Sequence, residues 1–373
     1  MSGAYWRPGI VQDVAPPGIT DLAPGYLDPA LLPVDLLAAA YGSALSRYGP
    51  AALSYGDNQG VEPLREALAA RAGCGPDKVL ITAGTSHALH LLATTLAEPG
   101  DVVLCEPTAY DYGKQIFTDR RLLLAPFAAD EEGPEPDALA AAIRRHRAVG
   151  RRIAFAYLIP TFHNPTGRLV GEQRRLELLD VARSHDVLVV EDDAYAELCL
   201  DELPVPRSLA ALASYEGVVR LCSFAKTLGP GLRLGWMLAS SSFVTSLAAS
   251  GLLSSGGGLN HLASLAVTTI IEDGRYDRRL ATLRRELALR RDALVKGLGV
   301  CCAVRPPRGG FFLWVRGDSE EHMLAAAARA GVRVAAGSRF GRPPTPAVRL
   351  SYSFNPPDTL FQAGHRLTRH QKG

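Results

Sequence analysis

The sequence predicts an α/β fold, with a large domain whose mostly parallel sheet is covered by helices and a smaller α+β domain. Through much of the chain, short apolar runs rich in Val, Ile and Leu alternate with helical patterns. Strands that are apolar along their whole length are typical of parallel sheets buried on both faces. After a helical stretch over residues 243–297, short strands around one helix predict the second domain. A chain of 373 residues is long enough for two or three domains.

The elements are predicted in the following order. Residues up to about Asp21 are rich in Pro and Gly, and we expect an extended arm there. From Glu62 onward, helical patterns such as "SHALHLLATTLAE" and "GEQRRLELLDVARSH" separate the strands. The predicted strands of the large domain are "KVLITAG", "DVVLCEP", "RRIAFAYLIP", "DVLVVEDD", "GVVRLCSF" and "LRLGWMLA". Those of the small domain are "GGFFLWV", "GVRVAAG" and "AVRLSYSF".

Composition and charge exclude several classes of protein. The chain is 47% hydrophobic and 21% charged, which is typical of a globular protein, and a net charge of +2 gives no broad sign of a nucleic-acid partner. Two basic runs cover residues 143–152 and 278–291. The second alternates charged with apolar positions, as an amphipathic helix with a solvated face does.

The N-terminus and the cysteines bear on the cellular compartment in which we expect the protein. The first 18 residues contain prolines and charges but no apolar core, so we expect no signal peptide. No apolar run approaches the roughly 20 residues that span a bilayer, so we expect no membrane partner. The six cysteines form no C-x-x-C pair, which favours a reducing compartment over disulfides or a zinc site. These features predict a cytoplasmic protein without a bound metal.

Lys226 occupies an unusual position. The apolar run "GVVRLCSF" precedes it, and the loop "GPGLRLG" follows shortly after it. A lysine at the mouth of a buried strand is unfavourable unless its charge is paired, solvated or removed. The ordinary alternative is a surface lysine at a strand end.

Other polar residues follow the predicted strands at their carboxyl ends, where open α/β sheets bind ligands. Gly84 ends one strand, and Thr85–Ser86 open a helix whose free N–H groups can bind an anion. Glu191–Asp193 end another strand, and a buried carboxylate there needs a cationic partner. Tyr195 follows this cluster, and Asn164 lies in the turn "PTFHNPTG" after a further strand. Each feature alone has an ordinary alternative: a helix start that binds nothing, a solvated cluster, or a simple turn.

Taken together, these residues fit pyridoxal 5′-phosphate. This cofactor carries a phosphate, a basic ring nitrogen, a phenolic oxygen and an aldehyde. An anion site, a buried carboxylate, hydrogen-bonding Asn and Tyr side chains and a lysine supply a partner for each of these groups.

The chain also resembles the fold-type I pyridoxal-phosphate aminotransferases of class I and II. The motifs that carry the resemblance are, in order, "LSYGDNQGVEPLREAL", "VLITAGTSHAL", "HNPTG", "VVEDDAYAEL", "SFAKTLGPGLRLGW", "RGGFFLWV" and "VRLSYS". The chain is most similar to the subgroup that includes aromatic and 2-aminoadipate aminotransferases and the aminotransferase-like half of some winged-helix regulators. The resemblance covers Ala23 to Phe354.

The resemblance implies an aspartate aminotransferase-like architecture. The large, cofactor-binding domain would cover residues 48–276 and contain a seven-stranded sheet. An N-terminal segment, residues 1–47, would contribute the arm and part of the small domain. Residues 277–373 would complete the small domain.

The family's functional residues carry over to this chain position by position. Lys226 would hold the cofactor as a Schiff base and move the substrate proton. Asp192, rather than Asp193, would pair with the ring nitrogen, and Asn164 and Tyr195 would bond the phenolic oxygen. The positions that match cofactor contacts are Gly84, Thr85, Ser86, Tyr110, Asn164, Asp192, Tyr195, Ser223, Lys226, Arg233 and Tyr55.

The resemblance also implies how phosphate, substrate and partner subunit are bound. Gly84, Thr85, Ser223 and Arg233 would bind the phosphate. Arg349 would bind the substrate α-carboxylate, and Gly25 and Asn164 would lie near the substrate. Tyr55 matches a phosphate-binding tyrosine that comes from the neighbouring subunit, and Asn260 matches a stretch near the partner's site more loosely. A homodimer is therefore expected.

Two departures from the family pattern concern the substrate. The family usually places an aromatic residue directly after "PT" to stack on the cofactor, whereas this chain has Ala109 there and Tyr110 one position later. Either Tyr110 stacks through a local bulge or the site is open above the ring. The stretch "SSGGGLNH" is also richer in glycine than usual. Both features predict an unusual substrate preference.

The expected function is transfer of the amino group of an L-amino acid to a 2-oxo acid, in amino-acid metabolism or biosynthesis. Three related reactions stay open: β-elimination such as C–S lyase chemistry, cyclisation and oxidative decarboxylation, possible in secondary metabolism. A cofactor-binding sensor is a further alternative, but it needs a DNA-binding domain, and only about 25 residues precede "YLDPALLP". No second cation is evident in the sequence for a carboxylate on the substrate side chain.

Overall fold

The structure is a computed structural model that describes residues 15–256, 259–299 and 304–370. Part of the expected N-terminal arm and of the "SSGGGLNH" stretch lies outside the described residues. Within them, apolar runs form the strands and amphipathic runs form the helices that cover them. The α/β class with a mostly parallel seven-stranded sheet is confirmed.

The strands are β1 (Thr20–Asp21), β2 (Val79–Thr82), β3 (Val102–Cys105), β4 (Leu123–Pro126), β5 (Ile153–Leu158), β6 (Val189–Asp192), β7 (Val218–Ser223), β8 (Gly235–Leu238), β9 (Phe312–Arg316), β10 (Val332–Arg333), β11 (Ala335–Ala336) and β12 (Ala347–Ser351).

The α-helices of the described residues are α1 (Val34–Tyr48), α2 (Glu62–Ala72), α3 (Thr85–Thr95), α4 (Asp111–Asp119), α5 (Pro136–Ala148), α6 (Glu172–Ser184), α7 (Leu209–Leu212), α8 (Ser241–Ala248), α9 (Gly251–Gly256), α10 (His261–Glu272), α11 (Arg275–Leu298), α12 (Glu320–Arg329) and α13 (Pro357–His370).

The main sheet has the strand order β2-β8-β7-β6-β5-β3-β4. Strands β7, β6, β5, β3 and β4 are parallel neighbours, and β8 runs antiparallel to both β7 and β2. The sequence pattern missed β4, whose burial varies from exposed to buried along its four residues. An edge strand with partly exposed residues lacks the continuous apolar run that identified the other strands.

The polar residues singled out in the sequence lie at one edge of this sheet. Asp192 ends β6, Ser223 ends β7, and Asn164 follows β5. Because these strands are parallel, their carboxyl ends meet at the same edge. The start of α3 and the loop before the antiparallel β8 reach the same edge.

Separate hydrophobic clusters lie on the two faces of the main sheet, and a third holds the remaining unit together. This third cluster joins Leu22 and Leu27 to side chains from β9, β12, α11 and α13. β1 pairs with β10, so a segment near the N-terminus completes the unit built by the C-terminal part. By contrast, Ala40 and Ala44 of α1 pack in the cluster of the main sheet. The domain boundaries at 47/48 and 276/277 stay predictions.

Across the described ranges, no helix combines the length and apolar character required to cross a bilayer.

Candidate active site

A cavity of about 980 Å³ opens at the carboxyl edge of the parallel strands. It brings together side chains from the main sheet, from α4, from the segment before α1 and from the C-terminal unit. The predicted site residues that line it are Gly25, Thr85, Ser86, Tyr110, Asn164, Asp192, Tyr195, Ser223, Lys226, Arg233 and Arg349.

Lys226 lies in a short 3-10 turn directly after β7, with its side chain in the cavity. Its Nζ donates a hydrogen bond of 2.8 Å to the carbonyl oxygen of Gly25. It also lies 5.3 Å from the centroid of the Tyr195 ring. Burial, with the charge of Arg349 adding to it, lowers the pKa of Lys226 to about 8. A neutral, nucleophilic amine is therefore far more accessible near neutral pH than for an exposed lysine.

The three carboxylates that end β6 have different surroundings because successive side chains of a strand point to opposite faces. Asp193 pairs with Arg220 at 2.7 Å, and Glu191 accepts hydrogen bonds from the backbone at the start of α7. Asp192 faces the cavity, where its Oδ2 accepts a hydrogen bond of 2.7 Å from the hydroxyl of Tyr157.

The buried carboxylate of Asp192 is only partly satisfied by hydrogen bonds. Its Oδ1 is buried and accepts no hydrogen bond within the described part of the chain. Burial raises the pKa of Asp192 to about 6, although the Tyr157 hydroxyl opposes this shift. A cationic group placed against Oδ1 would relieve the cost of the buried charge.

Hydrogen-bond donors suited to an anion lie where α3 begins. Gly84 has φ +87°, and it precedes the first-turn residues Thr85 and Ser86, whose N–H groups have no intrahelical partner. The guanidinium of Arg233 lies beside Gly84: a Cβ at that glycine would come 3.2 Å from Nη2. Ser223, at the end of β7, accepts a hydrogen bond from the Ala225 N–H and keeps its own hydroxyl proton to donate.

Arg349 and Asn164 form a second polar group across the cavity. Nη1 of Arg349 donates to Oδ1 of Asn164 at 2.8 Å, and Nη2 donates to the carbonyl of Ala23 at 2.7 Å. Because the guanidinium fixes the orientation of the Asn164 amide, its Nδ2 is the group left to donate. The Arg349 guanidinium lies between the rings of Phe312 and Phe340, at 3.9 and 4.5 Å from their centroids. Burial lowers the pKa of Arg349 to about 10.

The tyrosines and Ala109 are placed as follows. Tyr195 is buried among Phe311 and Phe312, and burial raises its pKa. Tyr110 lines the cavity at the start of α4, whereas Ala109 is buried and its N–H donates to the backbone of Phe340. Tyr110 and Tyr112 are the aromatic side chains of this segment that line the cavity.

Three predicted residues are not among those that line the cavity of this chain. Gly84 lies at the start of α3, beside the Arg233 guanidinium. Tyr55 is 85% exposed. Asn260 caps the start of α10, and its amide nitrogen donates to the backbone carbonyl of Arg233. Asn260 therefore contacts the backbone of a predicted phosphate-binding residue rather than the cavity itself.

The sequence did not reveal Tyr157, which contacts Asp192 without lining the cavity, or several residues of the cavity wall. The hydroxyl of Tyr157 donates a hydrogen bond to Asp192, but in the sequence this residue lies within the apolar run of β5. Asp111, Arg333 and Arg339 line the cavity. The position of Asp111 directly after Tyr110 was a usable signal, but nothing local to Arg333 or Arg339 links them to this site.

The residues present fit pyridoxal 5′-phosphate. The buried, unsatisfied Oδ1 of Asp192 needs a cationic partner, such as a protonated ring nitrogen. The α3 terminus with Arg233 supplies donors for a phosphate, and Lys226 supplies an amine with a lowered pKa for an aldehyde. Among the described residues, no group of three or more His, Cys, Asp or Glu side chains could hold a metal ion.

Comparison with known proteins gives a consistent result. The family model described as aminotransferase class I and II matches residues 30–365. The chain is 34% identical to the 2-aminoadipate transaminase of Thermus thermophilus over 96% of this chain and 91% of that protein. It is 30% identical to aromatic-amino-acid aminotransferase 1 of Thermococcus litoralis, over 94% and 87% of the two chains.

A solved structure shows the same fold. The α-aminoadipate aminotransferase of Thermus thermophilus, complexed with N-(5′-phosphopyridoxyl)-L-leucine, superposes with a TM-score of 0.84 at 32% identity. The match covers 96% of this chain and 93% of that one.

Proposed function

The chain belongs to the class I and II aminotransferases, and from this premise we propose how its own residues transfer an amino group from an amino acid to a 2-oxo acid. Its cofactor is pyridoxal 5′-phosphate. When bound, the cofactor supplies an aldehyde that bonds to amino groups and a ring that withdraws electrons from the reacting carbon. The residue roles below are derived from the geometry of the cavity.

Gly84, Thr85, Ser223 and Arg233 anchor the phosphate. Free N–H groups at the start of α3 point at the anion, and the guanidinium adds a charge-assisted contact. A fixed phosphate holds the cofactor in one orientation, so that reacting atoms stay near Lys226.

Lys226 binds the cofactor through Nζ and then moves the proton. Once the substrate amino group had displaced it, the neutral Nζ would be the group that accepts the proton of the substrate Cα and donates it again. Its lowered pKa, about 8, suits a group that must both accept and donate a proton near neutral pH. The Gly25 carbonyl, 2.8 Å away, holds the amine at the cavity wall.

Asp192 holds the proton on the cofactor ring nitrogen. An ionised carboxylate beside that nitrogen favours its protonated form, which strengthens electron withdrawal by the ring. Tyr157 fixes the carboxylate through Oδ2 and leaves Oδ1 for this contact. Asn164 and Tyr195 would hold the phenolic oxygen through donated hydrogen bonds, and Tyr110 would stack on the ring.

Arg349 binds the substrate α-carboxylate. Its guanidinium is held between two aromatic rings and by Asn164, so it is oriented before substrate arrives. Gly25 also lines the cavity, and its carbonyl accepts the hydrogen bond from Lys226. The observation that carries the proposal is that the Lys226 amine, the unpaired Asp192 oxygen and the Arg349 guanidinium share one cavity.

The proposal is tested by mixing the loaded enzyme with an amino acid and no acceptor. We expect a stoichiometric shift of the cofactor spectrum to the amine form, with release of one matching 2-oxo acid and no ammonia. Continuous ammonia release with the cofactor still an aldehyde would instead establish elimination or oxidation. Carbon dioxide release would indicate decarboxylation, and the same sample reports all of these products.

We further propose that two copies of the chain form a homodimer in which Tyr55 binds the phosphate of the partner's site. Support comes from the 85% exposure of this tyrosine and from the neighbouring Leu53, which is 73% exposed. In a dimer, a second copy of the chain would cover this exposed aromatic and apolar surface. The other proposed partners are the amino-acid and 2-oxo acid substrates, and we propose no nucleic-acid or membrane partner. The proposed location is the cytoplasm.

Complementation between inactive variants tests the shared site. Tyr55→Ala and Lys226→Ala subunits, mixed after reversible dissociation, are expected to recover up to about a quarter of wild-type activity. Only the mixed dimer contains one site with both an intact lysine and an intact partner tyrosine. Each variant taken alone through the same procedure is the control. No recovery in proven mixed dimers would place Tyr55 outside the partner's site.

A further inference from the structure

Arg339 lines the cavity on the side of the C-terminal unit, in a short 3-10 turn after β11. Its Nε donates to Oδ2 of Asp111, the first residue of α4. The guanidinium carbon lies 5.4 Å from the Tyr112 ring centroid and 6.0 Å from that of Phe340. Its side chain is 46% exposed, so it is held in place but open to the cavity.

The backbone around Arg339 is hydrogen-bonded to α4 and to the segment that precedes it. The Ala109 N–H donates to the carbonyl of Phe340 at 3.0 Å, and the Arg342 N–H donates to the carbonyl of Pro107 at 3.2 Å. Lys114 of α4 also donates to the Phe340 carbonyl. These bonds fix the turn against α4, so the position of Arg339 does not depend on its own salt bridge alone.

Asp111 engages only part of the Arg339 guanidinium. The ion pair joins Nε to one carboxylate oxygen, whereas a guanidinium has five N–H donors. Arg333 differs, because both its Nε and Nη2 donate to the buried carboxylate of Asp21. Arg339 is therefore the better placed of the two to bind an additional anion, with Asp111 holding its orientation.

Arg339 and Arg349 contact the same aromatic ring. Their guanidinium carbons lie 6.0 and 4.5 Å from the Phe340 centroid, so the two carbons are within about 10.5 Å of each other. A carboxylate bound end-on by a guanidinium places its carbon roughly 4 Å from the guanidinium carbon. At most about 2.5 Å then remains between the two carboxylate carbons along this line, so an acid with two or three methylene groups is long enough to reach both guanidinium groups.

We propose that Arg339 binds an anionic side chain, so that the preferred substrates are 2-aminodicarboxylic acids and the matching 2-oxo dicarboxylic acids. The α-carboxylate occupies Arg349 and the distal carboxylate occupies the free face of Arg339. Asp111 is a positioning residue that orients this guanidinium. The inference rests on the proposed function for the assignment of Arg349.

Binding of matched unreactive acids tests the proposal without catalysis. Calorimetry compares glutarate with valerate, which has the same carbon chain and one carboxylate, on the cofactor-loaded enzyme. We expect the wild type to favour glutarate by at least about 10-fold, and Arg339→Gln to reduce glutarate affinity by about 10- to 100-fold, as for loss of one charge-assisted pair. Arg342→Gln, an exposed arginine outside the cavity, is the matched control and should keep the preference.

A parallel half-reaction assay separates this inference from the proposed function. It compares 2-aminoadipate with norleucine and with lysine, and we expect the dicarboxylic acid to react most efficiently. Failure of every amino acid to react would refute the proposed function, while the calorimetry still reports on Arg339. Equal binding of glutarate and valerate, or equal loss of both in Arg339→Gln, would overturn the inference. A preference for lysine that Asp111→Asn removes would also overturn it, because Asp111 would then be the side-chain receptor.

Discussion

Replacing Lys226 with alanine is expected to slow the half-reaction with every amino acid by about four orders of magnitude or more. The variant loses both the amine that bonds to the cofactor and the group that moves the substrate proton, and acid–base transfer alone contributes about 10²- to 10⁴-fold. Rapid-mixing absorbance measures the rate. Lys78→Ala, whose side chain lies over Tyr215 outside the cavity, is the control and should react normally.

The same substitution is not expected to unfold the protein. The pKa of Lys226 is lowered in the folded state, so below that pKa the buried charge opposes folding. Alanine removes this cost, which offsets the packing lost with the side-chain stem. Borohydride reduction of the wild type and peptide mapping should locate the cofactor on Lys226. A label on Lys78, Lys114 or Lys296 would show that the assignment is wrong.

Asp192→Asn is expected to slow proton removal by about two to four orders of magnitude, the contribution of one well-placed catalytic group. A neutral amide cannot hold the proton on the cofactor ring nitrogen, although it can still accept the Tyr157 hydrogen bond. The measurement is the half-reaction rate with substrate deuterated at Cα, where a larger isotope effect is expected because proton removal becomes more fully limiting.

The melting temperature is expected to distinguish Asp192→Asn from Asp193→Asn. Burial raises the pKa of Asp192 to about 6. The contribution of Asp192 to the free energy of unfolding therefore falls as pH rises from about 4 to 6. At pH 7, Asp192→Asn should not lower the melting temperature. Asp193→Asn leaves the partly buried Arg220 without its buried carboxylate partner and should lower stability instead. If Asp193→Asn were the variant with the crippled half-reaction and Asp192→Asn reacted normally, the roles of the two carboxylates would be reversed.

The sequence by itself determined most of the main sheet and part of the cavity wall. Continuous apolar runs predict strands because both faces of this sheet are buried, and six of the seven strands were identified in this way. The polar residues after those runs meet because parallel strands end at the same edge. This local logic brings Asp192, Ser223 and Lys226 into one site, and the motif resemblance supplies roles that remain predictions.

The tertiary structure alone decided which more distant side chains complete the cavity. Tyr157 is an interior residue of β5, and only the neighbouring β6 shows that its hydroxyl meets Asp192. Asp111 and Arg339 are separated by 228 positions, yet they form an ion pair at the cavity wall. No periodicity or spacing encodes such a contact, because it depends on how the C-terminal unit packs against α4. The physical reason is the range of the interactions. Strand burial and chain direction act on neighbouring residues, whereas this part of the cavity wall forms where two distinct hydrophobic clusters meet.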